Sequence, residues 1–408
     1  MARKLTAAAW KAELQDARLG GLLDSFEKTF GAGREISLFS APGRTEIGGN
    51  HTDHQHGCVL AASVNLDTVA AVSENGSSVI RIQSEGYPLC EVDLADLSIR
   101  EEEKNTTMAL IRGVAAAFKD LGCASRGFDA YVISDVLRGS GLSSSAAYEV
   151  LLGVILNGMF FENKVDAVKI AQIGQYAENV YFGKPSGLMD QMASSVGNLV
   201  TIDFADPAAP VVERVDFDFS KTGYSLCIID SGADHADLTD EYAAITVELK
   251  KISGYFGKNV LREIPREEFY AALPALRKLA GDRAVLRAMH FYDDNDRVPQ
   301  QVAALKNGDF DAFLDMMKAS GRSSWMYLQN VIPTGCKEHQ EVALALAMCD
   351  KLLAGRGAYR VHGGGFAGTV QAFVPNDMLE TFCEKMETVL GKGSCHVLAI
   401  RPVGGMAY

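Results

Sequence analysis

At 408 residues, 48% hydrophobic and 22% charged, the chain has the make-up of a soluble globular protein long enough for two domains. Its formal net charge of −13 argues against nucleic acid as a partner, and no apolar run approaches the roughly 18 residues of a membrane span. Eight scattered cysteines, none in C-x-x-C spacing, suggest neither a zinc ribbon nor a redox couple and read as reduced, packed thiols.

Residues 1–30 read as an amphipathic helix without a signal-peptide core, so a cytoplasmic protein is expected. Residues 35–41 alternate toward a strand that ends in the turn signal Pro42-Gly43. A polar loop runs to Gly57, and the apolar stretch 58–73 has room for one or two strands. Short strands are expected at 78–83 and 90–94, a helix at 107–121 and a strand at 127–135. Helical patterns at 145–160 and 167–182 precede a loop holding Gly183, Pro185 and Gly187, then a strand at 198–204. Residues 206–210 are the best boundary candidate, dividing the chain into domains 1–208 and 209–408. Beyond it come a buried-type strand at 225–230 and helical patterns at 240–255, 267–318 and 338–354. Strands near 360–362 and 370–374, a helix at 376–389 and a strand at 395–401 complete two halves that read as α+β layers.

Four stretches could carry chemistry. In LRGSGLSSSAA, residues 137–147, Gly139 and Gly141 can reach positive φ, and three serines stand where a helix begins. A Gly-rich turn feeding a helix N-terminus gathers unpaired N–H groups and the positive end of the helix dipole, so it suits an anion such as a nucleotide triphosphate. No Lys follows the glycines as in a Walker loop, and taken by itself the turn reads equally well as the cap of an ordinary helix. In APGRTEIGGNHTDHQHG, residues 41–57, an arginine, carboxylates, amides and three histidines crowd one loop. That density suits polyhydroxyl recognition. A metal site at His51, Asp53, His54 and His56 is the rival, although no Cys or distant His at ligand spacing completes it.

Glu178 lies late on a helical pattern, and Asp190 follows twelve residues on, after a Gly-Pro-Gly loop. One carboxylate could hold magnesium and the other sit beside an attacking hydroxyl, the division of labour that phosphoryl transfer requires. The fourth stretch, VHGGGFAG at 361–368, is a Gly-rich turn between two strands, either a flexible hairpin or a place of close backbone approach.

Together these segments resemble the galactokinase branch of the GHMP kinase family over nearly the whole chain. The sugar signature G-R-x-N-L-I-G-E-H-T-D-Y corresponds to GRTEIGGNHTDH, Gly43 to His54. The phosphate motif P-x-G-x-G-L-S-S-S-A corresponds to the serine turn, G-I-M-D-Q to Gly187 through Gln191, and G-G-G-F-G-G to Gly363 through Gly368. The resemblance implies a two-domain α+β GHMP kinase fold with the active site in the cleft between domains. It implies an ATP-dependent kinase, using Mg2+, that phosphorylates the anomeric hydroxyl of galactose to give galactose 1-phosphate. Asp190 would face that hydroxyl as base or positioner, with Arg44 beside it, lowering its pKa and offsetting developing charge. Gly139, Ser140, Gly141, Leu142, Ser143, Ser144 and Ser145 would line the phosphates, and Ser145 with Glu178 would hold magnesium. Asn50, His51, Asp53, Gly187, Tyr242, Gly364 and Gly365 would contact or enclose the sugar. The partners implied are a small-molecule sugar and ATP, the protein being monomeric or weakly self-associating.

Some positions depart from the family pattern. The signature's glutamate is Asn50, its Asn-Leu-Ile is Glu46-Ile47-Gly48, and its tyrosine is His54. The family glutamate contacts the sixth-carbon hydroxyl of the sugar. A glutamate there would repel a uronic acid, whereas an asparagine can donate hydrogen bonds to one, and Asp53-His54-Gln55 is similar to the galacturonokinase branch. Thr107 stands where a tryptophan often lies near the adenine, Ala367 replaces a motif glycine, and Arg138 departs near the phosphate loop. A kinase for galacturonate, N-acetylgalactosamine or L-arabinose is therefore the alternative. A non-catalytic galactose sensor is a further one, but Ser144-Ser145-Ala146-Ala147, Arg44 and Asp190 are all intact.

Overall fold

Two sheets, each covered by helices, make up the protein in a computed structural model that describes residues 2–136, 141–233 and 238–408. The strands are β1 (Ser37–Gly48), β2 (Cys58–Glu74), β3 (Val79–Ser84), β4 (Cys90–Asp93), β5 (Phe128–Ser134), β6 (Leu199–Asp203), β7 (Val211–Val215), β8 (Tyr224–Asp230), β9 (Ala358–Val361), β10 (Thr369–Pro375), β11 (Cys395–Leu398) and β12 (Met406–Ala407). Helices α1 (Ala7–Leu14), α2 (Ala17–Phe30), α3 (Thr107–Asp120), α4 (Ser144–Phe160), α5 (Ala167–Tyr176) and α6 (Met189–Val196) belong to the first half. The second half holds α7 (Thr239–Tyr255), α8 (Arg266–Ala271), α9 (Leu273–Ala280), α10 (Asp282–Lys306), α11 (Phe310–Ser323), α12 (Glu341–Leu353) and α13 (Leu379–Leu390).

Among the described residues, the first sheet runs β12-β1-β2-β5-β3-β4, with β6 on the other stretch of β2 and β7 beside β6. The second runs β11-β8-β10-β9. β1 is buried along its whole length and most of β2 is too, as the near-continuous apolar run at 58–73 requires of strands covered on both faces. Helix α4 is apolar on nearly every side and lies in the core against β1 and β2. The chain returns at its end, pairing Phe39 with Ala407 and Ser40 with Met406, and β7 also joins the first sheet. That sheet therefore recruits strands from beyond residue 208. An apolar cluster shared by Ile47, Leu60, Leu142, Ile228, Val298 and Phe373 fills the space between the sheets.

Some elements differ from the sequence reading. The N-terminal helix is two helices, because Gln15 turns left-handed (φ 49°) and Asp16 starts a new helix by accepting from the Leu19 N–H at 2.9 Å. Pro42-Gly43 is not a turn: β1 runs through it with a register shift between Pro42 and Arg44. A bulge admits proline, which has no N–H to give the ladder, and re-aims the side chains that follow. The pattern at 167–182 passes from α5 into a π-helical turn, Ala177–Phe182, and α6 stands where no helix was expected.

Candidate active site

The re-aimed strand delivers Arg44 to Asp190. Asp190 sits in the first turn of α6, where the helix dipole favours negative charge. Arg44 Nε donates to Asp190 Oδ1 at 2.7 Å and a terminal nitrogen to Oδ2 at 2.6 Å, a bidentate pair joining residues 146 apart. Burial would raise the Asp190 pKa, but the charge and hydrogen bonds of Arg44, with help from Ser143 and Lys184, hold it below the ordinary carboxylate value. Burial likewise opposes the Arg44 charge, and Asp190, Glu46 and Asp53 more than restore it.

Arg44 also ties this pair to the serine turn, donating from its other terminal nitrogen to the Gly141 carbonyl. Its backbone N–H donates to the Leu142 carbonyl at 3.0 Å, and a side chain at Gly43 would stand 3.0 Å from that same oxygen. Gly141 adopts φ 72°, and Ser143 adopts φ 56° directly before α4 begins. A serine in the left-handed region is uncommon, and such strain collects at functional sites. Gly139 and Ser140 lie outside the described residues. Ser144 and Ser145 open α4 and line a cavity of about 780 Å³ that extends past Tyr148, Phe182, Tyr87 and Thr107.

Three successive carbonyls of the triglycine turn receive three of the residues expected at the sugar. Asn50 Nδ2 donates to Gly363 at 2.6 Å, His51 Nε2 to Gly364 at 3.0 Å, and the Tyr242 hydroxyl to Gly365 at 2.8 Å. A side chain at Gly364 would strike the Tyr242 ring at 2.8 Å, and one at Gly365 the Asn330 carbonyl at 2.0 Å. Burial is the main force holding the His51 imidazole down to about 4, so it is neutral, and with Nε2–H donating, Nδ1 is left as an acceptor. Asp53 closes on Gly187, where a side chain would meet its Oδ2 at 2.8 Å, while His54 remains half exposed at 50%.

Asn50 is wholly buried, and its amide is taken up within the protein. Besides the Gly363 carbonyl it donates to Glu46 Oε1 at 3.0 Å, and its own oxygen accepts from Asn330 at 2.9 Å and Ser324 at 3.3 Å. Neither N–H is left for a uronate. Burial pushes the Glu46 carboxyl up, against the pull of the fully buried Arg360 with which it pairs.

Glu178, 3% exposed, lies on the π-helical turn after α5. Gln191 Nε2 bridges it to Glu149, donating at 2.9 Å to each, and Lys184 approaches Glu178 at 3.2 Å. Glu149 follows Ser145 by four residues and so shares its face of α4. Glu149 Oε1 and Gln191 Oε1 are buried with no hydrogen-bond partner among the described residues. Burial, then the neighbouring Glu178, pushes Glu149 well above the usual range. A carboxylate, a serine hydroxyl and unsatisfied oxygens are the hard donors that magnesium takes.

Residues not singled out in the sequence hold this arrangement. His362 is buried and kept neutral by burial and by Arg44 and Arg360. Its Nε2 accepts from the Glu46 N–H at 3.3 Å and lies 3.0 Å from Thr45 Oγ1, while Nδ1 lies 2.9 Å from Thr369 Oγ1. The same ring would stand 3.0 Å from any side chain at Gly141. From α10, Asp294 accepts from the Asn50 N–H at 2.7 Å and His290 donates to the Asn50 carbonyl at 3.0 Å. Gln301 fills the space in front of Gly48, where a side chain would collide at 2.1 Å. The only hint in the sequence was the H preceding GGGF; the rest lie far from any motif.

A model of the galactokinase galactose-binding signature matches residues 24–74, and one of the GHMP kinase N-terminal domain matches residues 109–198. Galactokinase of Streptomyces coelicolor is 30% identical over 364 residues, covering 88% of this chain and 89% of that protein. Galactokinase of Glaesserella parasuis is 30% identical over 365 residues, covering 87% and 89%. Lactococcus lactis galactokinase, solved in complex with galactose, superposes with a TM-score of 0.79 at 25% identity over 96% of this chain and all of that one. A mevalonate kinase at 12% identity and a TM-score of 0.64, covering 89% of this chain and 99% of that one, shares the fold. The paired Arg44 and Asp190, the serine turn at the head of α4 and the triglycine turn belong to one architecture, and the chain is a member of the galactokinase family within the GHMP kinases.

Proposed function

We propose that the protein transfers the γ-phosphoryl group of ATP to the anomeric hydroxyl of galactose, giving galactose 1-phosphate and ADP. The observation that carries this reading is the bidentate Arg44–Asp190 pair joined to the serine turn through the Gly141 carbonyl. Sugar and nucleotide then meet at one guanidinium. Asp190 stays ionised at neutral pH, accepts a hydrogen bond from the anomeric hydroxyl and orients its oxygen. Because its pKa is depressed, it takes the proton only once the new O–P bond is well advanced, while ADP leaves with the electron pair of the broken bond. Arg44 supplies fixed positive charge beside the transferring group, in a site that needs little reorganisation.

The backbone of residues 139–145 would receive the phosphates, and the cavity running past Thr107 would receive the base. Ser145 and Glu178 would hold Mg2+, which when bound neutralises phosphate charge. Asp53, His51 and the surroundings of Gly187 and Gly364 would meet the sugar hydroxyls. Tyr242, Asn50 and Gly365 would shape that surface. The reading extends to a cytoplasmic enzyme, monomeric or weakly self-associating, with domains that divide near residue 208.

A panel of sugars with ATP and Mg2+ tests it. Galactose should be turned over more than tenfold faster than galacturonate, because Asn50 offers no free donor and Glu46 adds a carboxylate beside it. A hydrogen-bonding pocket can discriminate by up to ~10⁴-fold, so the ranking will be clear. Galacturonate outpacing galactose tenfold would overturn the substrate. Binding of sugar and ATP without any sugar phosphate would overturn the catalysis.

A further inference from the structure

Alternate residues of β8 face different surroundings. Leu226 and Ile228 point into the apolar cluster between the sheets, and Cys227 and Ile229 into the cluster formed with α12 and α13. β11 runs antiparallel to β8 with Cys395 opposite Ile229 and Val397 opposite Cys227, so Cys395 stands diagonal to Cys227 on the same face. Helix α13 brings Cys383 over them. The three Sγ atoms all lie within 4.8 Å of one another, and those of Cys383 and Cys395 are 3.3 Å apart. Cys227 is buried, while Cys383 and Cys395 are part-exposed, so the group has a closed floor and an open side. Cys349 on α12, also buried, belongs to the same cluster.

We propose that Cys227, Cys383 and Cys395 bind one thiophilic d10 cation, of the Cu+ or Zn2+ class, as a three-thiolate site on the outer face of the second sheet. Metal–sulfur bonds of about 2.3 Å place coplanar or tetrahedrally disposed sulfurs about 4 Å apart, the separation these three can take with side-chain rotation. The set is all sulfur, and such ligands select soft cations over magnesium. Each thiol releases its proton to solvent as its bond to the metal forms, and nothing is oxidised. The bound ion would clip α13 to β8 and β11 on the face of the sheet turned away from the apolar cluster between the sheets.

The full-length protein, reduced and stripped of metal by a chelator, is titrated with Cd2+ and separately with Zn2+. The ultraviolet thiolate-to-cadmium band should reach its plateau at one equivalent, and the thermal midpoint should rise with Cd2+ concentration, as for any ligand of the folded state alone. Losing an outer partner of a metal ligand costs about 10- to 100-fold in affinity, so C383S and C395S should each weaken Cd2+ by at least about 100-fold. C336S should bind as the parent does. Should the serine variants misfold, Cd2+ must still protect Cys383 and Cys395 of the parent protein from alkylation, read by peptide mass spectrometry. No band at one equivalent, a band that survives when C383S and C395S are combined, absence of protection, or a resident Cys383–Cys395 disulfide would each overturn the site.

Discussion

A carboxylate buried as Asp190 is would ordinarily take up a proton, and the guanidinium of Arg44 prevents it. This depressed group contributes stability and activity above the ordinary carboxylate pKa of about 3.9, and both are lost only as pH falls below it. Asp190→Asn should therefore cut turnover by at least the ~10²-fold typical of losing general-base assistance, with sugar affinity less affected, as steady-state kinetics against galactose would read. A second residue-scale prediction concerns Glu46 and Asn50. The family signature has asparagine at the first of these positions and glutamate at the second; here they are exchanged and hydrogen-bonded to each other at 3.0 Å. Asn50→Glu alone sets two buried carboxylates against one arginine and should cost about 3 kcal/mol of stability, the scale of an uncompensated buried charge. The double exchange Glu46→Asn with Asn50→Glu should recover most of that in urea unfolding, because one carboxylate again faces Arg360. The departures at both positions were visible in the sequence. That they form one pair was not, since Arg360 reaches Glu46 and Gly363 reaches Asn50 from more than 300 residues away.

At the scale of elements, the helix carrying Asp190 escaped the sequence reading because GLMDQMASSV opens without a capping residue: Leu188 holds the cap position with no side-chain hydrogen bond. β7 and β12 escaped it for the opposite reason. They are short, part-exposed edge strands of five and two residues that gain their identity only from β6 and β1. The triglycine turn was legible as a place of close approach, and the contacts now say to what. Gly365 adopts φ 79° with the Asn330 backbone directly over it. Gly365→Ala should cost more than 1 kcal/mol, the least expected of alanine at positive φ with a backbone clash. Because Tyr242, His51 and Asn50 all donate to this turn, the KM for sugar should rise before that for ATP. Initial rates with each substrate varied in turn would separate the two.

For the whole molecule, three histidines among the described residues set the acid response, His290 and His362 buried and His51 part-buried. His51, His290 and His362 are each held below the ordinary value chiefly by burial. The unfolded chain protonates them near pH 6.5 while the folded protein does not, so their contribution is complete above that pH and is lost as pH falls beneath it. Each adds a slope of up to about 1.4 kcal/mol per pH unit. Glu46 and Glu149, raised by burial, act in the opposite sense. Urea midpoints should drop between about pH 6.5 and 5, and His362→Gln should flatten that slope by about one proton's worth.

Composition and the period of the apolar residues were enough for the α+β class and most of the elements, and the resemblance of four short motifs to the galactokinase branch implied the chemistry of a sugar kinase. These are local or nearly local properties: a glycine that can take positive φ, a serine that opens a helix and a strand buried on both faces announce themselves within a dozen residues. Only the tertiary structure decided that Asn50 spends its amide on Glu46 and Gly363, that His362 braces the serine turn, and that Cys227 meets Cys383 and Cys395 from more than 150 residues away. Those facts depend on which groups meet once β1, α10 and the turn before β10 are packed. A buried polar atom must find a partner wherever the fold brings one, and sequence distance has no part in that choice.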